Sequence, residues 1–64
     1  MQIPVARGQL IHDLSYAFAV EKLHEAVNSS HPPKSDMEWC EILWSNYAWG
    51  AATFEEILRK NEDI

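Results

Sequence analysis

Cysteine is nearly absent: Cys40 stands alone, so no disulfide can form within the chain. That excludes a disulfide-stapled fold of the secreted kind. Glycine is almost as scarce. Gly8 and Gly50 are the only two, far apart, which excludes a glycine-rich phosphate-binding loop. No stretch approaches the ~18 consecutive apolar residues of a membrane-spanning helix. Residues 1–7 lack the apolar run that follows the basic start of a signal peptide. The expectation is a soluble protein of the cytoplasm with no membrane partner. Apolar–polar alternation is missing over any useful length, so no strand is expected.

An excess of basic charge is missing too. The formal net charge is −5, and it is unevenly placed. Residues 1–34 balance Arg7, Lys22 and Lys34 against Asp13, Glu21 and Glu25. Residues 35–64 set Asp36, Glu38, Glu41, Glu55, Glu56, Glu62 and Asp63 against Arg59 and Lys60 alone. Binding a phosphate backbone needs the opposite sign, so no direct nucleic-acid partner is expected. A helix lying on a membrane surface would want basic residues beside its apolar face, and the second half is acidic.

What is present is apolar and helical. The 64 residues are 47% hydrophobic, which reads as one folded domain over 1–64 and not as a disordered chain. A chain this short buries only about 60% of its unfolded surface. With disulfides excluded, stability must come from tight helix packing or self-association.

Pro4 suits a helix start, and a first helix is expected over about 6–27. Its large apolar residues fall into two sets. Leu10, Ile11, Leu14, Ala17 and Phe18 share one face; Tyr16, Val20, Leu23 and Val27 share a nearly opposite one. Such a helix breaks near residues 16–20, is sandwiched within its own bundle, or packs its halves against different chains. The segment Asn28-Ser29-Ser30-His31-Pro32-Pro33-Lys34 is a loop, because paired prolines end a helix and Ser and Asn favour turns. With Ser35 it fills 28–35.

Ser35 and Glu38 form a capping-box signature, with Asp36 and Glu38 suiting the positive end of the helix dipole. A second helix is expected over about 36–49, ending at Gly50. Thr53 and Glu56 repeat the signature and open a short third helix over about 54–60, with Phe54, Ile57 and Leu58 apolar. The rival reading carries the second helix through Gly50 at a cost of only ~1 kcal/mol. Tyr16-Ala17-Phe18 faintly echoes Tyr47-Ala48-Trp49, too weakly to define a repeat.

Three tryptophans, Trp39, Trp44 and Trp49, recur every five residues. Each step is about 140° around a helix, so the indoles point three ways. Leu43, Tyr47, Cys40 and Met37 fill the angles between Trp39 and just past Trp44, and Ile42 lies beside Trp49. Glu38, Glu41 and Ser45 occupy the narrow remainder. An ordinary surface helix carries a stripe of little more than 100°, so this helix needs cover on several sides. Two other short helices supply it with difficulty, and a two-fold dimer would complete it. Trp39, mid-arc beside Leu43, should be core; Trp44 and Trp49 lie towards opposite edges, and one of them should mark the interface.

Catalytic and metal chemistry find little footing. His12, His24, His31 and Cys40 form no Cys-x-x-Cys or His-x-x-x-His pair, so no metal or cofactor is expected. They read as two partly exposed histidines, a loop histidine and a buried structural thiol. Cys40 could meet His24 across the hairpin, but nothing supplies an oxyanion hole or cleft. The carboxylate pairs read as caps and solvated faces. A helix-turn-helix around Gly50 fails because Glu56 stands where an apolar residue must pack inward, and Glu55-Glu56 would face phosphates.

The fold expected is therefore all-α: a helical hairpin plus a short third helix, paired as a homodimeric bundle. The function expected is a non-enzymatic protein–protein interaction module: a regulator, adaptor or inhibitor binding another protein and itself. Its anchors are Trp44, Trp49, Trp39, Tyr47 and Met37, with Glu38 and Glu41 at the rim. One alternative is an acidic nucleic-acid mimic using Glu38, Glu41, Glu55, Glu56, Glu62 and Asp63, although Arg59 and Lys60 interrupt it. A helical DNA-binding regulator is the second alternative.

Overall fold

The computed structural model describes residues 6–62, and the side chains of 6–61. Pro4, Asp63 and Ile64 lie outside the described residues, as does the side chain of Glu62. Among the described residues the chain forms two helices, α1 (Arg7–Val27) and α2 (Asp36–Glu62), and no strand. They pack against each other as a helical hairpin.

α1 starts without a side-chain cap. Ala6 is extended and its carbonyl accepts from the Leu10 N–H at 3.0 Å. The helix stops at Asn28, whose N–H still donates to the His24 carbonyl at 3.1 Å. Ser29 then closes the turn: its hydroxyl donates to the Ala26 carbonyl at 2.6 Å and accepts from the His31 N–H at 3.2 Å. Pro32 and Pro33 follow, and neither has an N–H to continue a helix.

α2 begins where the capping signature places it. The Glu38 N–H donates to the Ser35 hydroxyl at 3.2 Å. The reciprocal bond is shifted by one residue, because the Glu38 carboxylate accepts from the Lys34 N–H at 2.6 Å.

The expected third helix does not exist as a separate element. α2 runs unbroken through Gly50 for 27 residues, about 40 Å at 1.5 Å per residue. Gly50 is helical and has no positive φ. It is buried at the contact with α1, where a Cβ would lie 3.2 Å from the Phe18 ring, 3.5 Å from the Ser15 Cα and 3.7 Å from its Cβ. Glycine serves here as a close-approach residue and not as a terminator. Thr53 is likewise no cap: its hydroxyl donates back to the Trp49 carbonyl four residues earlier, at 2.8 Å.

α1 does not break either. Its buried residues are Ser15, Ala19 and Leu23, spaced by four. Two small side chains and Leu23 of the second apolar set thus face α2, and the other members of the two sets flank that strip. The buried Ser15 hydroxyl is satisfied by donating to the Ile11 carbonyl at 2.6 Å.

The resulting core is thin. Among the described residues the buried hydrophobic side chains are Ala19 and Leu23. The molecule is a rod of 45 × 20 × 17 Å with a radius of gyration of 14.4 Å, against about 11 Å for a compact domain of this length. Its accessible surface is 5257 Å², whereas a compact monomer of its mass exposes about 4,200 Å².

Candidate interaction surface

The hairpin carries aromatic clusters on two flanks, separated by the close Ser15–Gly50 contact. On the first flank, the Tyr47 hydroxyl and His12 Nδ1 share a hydrogen bond of 2.8 Å across the helices. The His12 ring meets Tyr47 edge-on at 5.6 Å and stacks at 6.3 Å on Tyr16, one turn along α1. Trp44 stacks on Tyr47 at 5.9 Å, 24° from parallel. Together with Cys40 and Leu43 these residues line an open groove of about 470 Å³. No carboxylate, lysine or arginine lines it.

On the second flank, Phe18 of α1 is the hub. Trp49 stacks on it at 5.4 Å and Phe54 meets it edge-on at 6.5 Å. The Lys22 ammonium sits over the same ring, 5.6 Å from its centre, a cation–π contact of roughly 0.5–1 kcal/mol at an exposed site. This flank is thus partly closed by its own chain and carries a charge.

The residues expected to bind a partner are therefore divided between places. Trp44 and Tyr47 share the groove; Trp49 lies with Phe18. Met37 and Trp39 belong to the first turns of α2 beside the loop. Trp44 is 68% exposed, Trp49 59% and Met37 72%. Trp39 corrects the expectation of a core position: it is the least exposed of the three indoles, yet still 43% accessible. The end of a two-helix hairpin has too few neighbours to enclose an indole. Glu38 and Glu41 line a second hollow with His31, Pro32, Pro33, Ile42, Ser45 and Asn46, where the Glu38 carboxylate is already held by the Lys34 N–H.

Cys40 is also corrected. It is exposed in the groove wall and not a buried thiol. His24 lines a different hollow, on the outer side of α1 with Tyr16, Val20 and Glu25. Among the described residues no three His, Cys, Asp or Glu side chains converge where they could hold a metal ion. None of the described helices is long and apolar enough to cross a membrane.

His12, Tyr16 and Phe18 were not singled out from the sequence as contact residues. The signal available was the i, i+4 pair of His12 and Tyr16 on one helical face, which reads as surface until α2 is laid beside it.

The chain matches no protein-family model, no curated protein and no solved structure in the three comparisons made.

Proposed function

We propose that the chain is a non-enzymatic protein–protein interaction module, a small regulator, adaptor or inhibitor, which pairs with itself and binds another protein through its exposed aromatic flanks. One observation carries this reading. Among the described residues Ala19 and Leu23 are the fully buried hydrophobic side chains, while Trp44, Trp49 and Met37 remain more than half exposed. Covering apolar surface is worth roughly 25 cal/mol per Å², and Trp and Tyr are the side chains that most often dominate interface energetics. Glu38 and Glu41 would form an acidic rim suited to a basic partner, so binding at that end would weaken with salt.

The reading is tested by capture from the native host with the wild type, Trp44→Ala and Trp49→Ala as baits. A defined protein retained by the wild type and lost with one of the variants is the expected result. Identical captured sets for all three baits would remove it.

The two alternatives have less support. For a nucleic-acid mimic the acids should project freely, but the Glu56 carboxylate lies 3.7 Å from the Lys60 ammonium and Glu38 folds back onto the loop. A helix-turn-helix needs a turn at Gly50, where α2 is continuous.

A further inference from the structure

We infer that the groove between His12, Tyr16, Cys40, Leu43, Trp44 and Tyr47, which no carboxylate, lysine or arginine lines, is the seam at which two copies of this chain pair, flank to flank, into a four-helix bundle. This deepens the self-pairing part of the proposed function and rests on it.

The chain exposes about 1,000 Å² more than a compact monomer of its mass. A standard specific interface takes about 800 Å² from each partner. Covering one flank of each rod with the other would remove about 1,600 Å² from the apolar-rich surface that two separate copies leave to solvent. It also turns two thin hairpins into a bundle with an enclosed interior.

A two-fold interface must be self-complementary, because the same patch meets itself. This patch carries both a knob and a hole. Trp44 projects, 68% exposed, and the groove between the α1 residues His12 and Tyr16 and the α2 residues Cys40 and Leu43 lies beside it. The knob is already oriented: Trp44 stacks on Tyr47, and Tyr47 is tied to His12. A side chain fixed before association loses less entropy on binding.

Each copy brings a net charge of −5, so two copies repel and should meet where charge is lowest. No carboxylate, lysine or arginine lines the groove. The opposite flank has the Lys22 ammonium over Phe18, and the loop end has Glu38 and Glu41. Self-pairing through the groove must therefore tighten as salt screens the repulsion. Binding of a basic partner at the acidic end must do the reverse.

The test is sedimentation equilibrium of the full chain, wild type and two variants, at low and high salt. The expected result is a dimer for the wild type, tighter at high salt, a monomeric mass for Trp44→Ala and an unchanged dimer for Trp49→Ala. Cys40 gives a second readout that needs no substitution, since it lies in the seam. Its modification by a soluble aryl disulfide should slow about tenfold as the protein is raised from roughly 0.1 to 100 μM, a range reaching the weak end expected for interfaces of this size. A monomeric wild type overturns the inference, as does a dimer that survives Trp44→Ala or is lost with Trp49→Ala, or a Cys40 rate that stays constant over concentrations at which sedimentation shows the mass to change. A monomeric wild type that still captures a partner through Trp49 would remove the self-pairing seam and leave the interaction module standing.

Discussion

Gly50 sets the distance between the helices. A Cβ here would lie tight against the Phe18 ring, at 3.2 Å, and in ordinary contact with Ser15, at 3.5 Å, so nothing larger has room. Leucine at this position cannot be accommodated without separating α1 from α2. Gly50→Leu is expected to cost at least the ~1–3 kcal/mol typical of overpacking, read as a lowered midpoint in urea. Gly50→Ala tests the same contact gently. It gains up to ~1 kcal/mol of helix propensity and needs only a few tenths of an ångström from the half-buried Phe18 ring. Its stability should stay within about 1 kcal/mol of the wild type. Tyr47→Phe keeps the ring against Trp44 and removes the hydrogen bond to His12. A loss of ~0.5–1.5 kcal/mol is expected, measured by denaturant unfolding with helicity retained.

At the scale of the elements, two capping signatures with the same spacing have opposite fates. Ser35 caps α2, and Ser35→Ala should cost ~0.5–2 kcal/mol, with faster amide exchange in the first turn. Thr53 bonds backward inside a continuous helix. Thr53→Ala should therefore leave stability unchanged or raise it by a few tenths of a kcal/mol. A loss of ~1 kcal/mol or more, of the size expected for removing a cap, would restore the separate third helix. The contrast explains what could be read in advance. The loop, the α2 start and both helical stretches follow from local chemistry: paired prolines, a serine oxygen at the right spacing, no alternation. The fate of Gly50 does not, because it depends on Ser15, 35 positions earlier. The aromatic arc was also legible, since it needs only the helical angle. The division of Trp44 and Trp49 between two flanks was not. It follows from how Ser15, Ala19 and Gly50 dock, and readings based on large apolar residues pass over such small ones.

The whole molecule is a thin rod whose largest apolar side chains face outward. The proposed self-association would contribute to stability by mass action. The thermal midpoint should rise with protein concentration in the wild type and lose that dependence in Trp44→Ala. A midpoint that is high and independent of concentration in the wild type would mean that the hairpin suffices alone. The exposed ion pairs add little: Lys22–Glu25 and Glu56–Lys60 are 3.6 and 3.7 Å apart and well solvated. Exposed helical pairs of this kind contribute roughly 0.3–0.5 kcal/mol.

The loop at one end of the hairpin gives the fold a direction in time. Contacts near residues 28–35 close a short stretch of chain, and those towards Arg7 close a long one, so the entropic cost of each rung rises along the rod. The hairpin should zip from the loop outward and open from the free end inward. The Ser15–Gly50 contact stands midway along that path. On the loop side, the chain between the two helices is short enough to hold them together while the rest reforms. Beyond it, the Arg7 guanidinium donates to the Glu55 carbonyl at 3.5 Å, and the rungs at that end, which close the longest stretch of chain, should be the first to open.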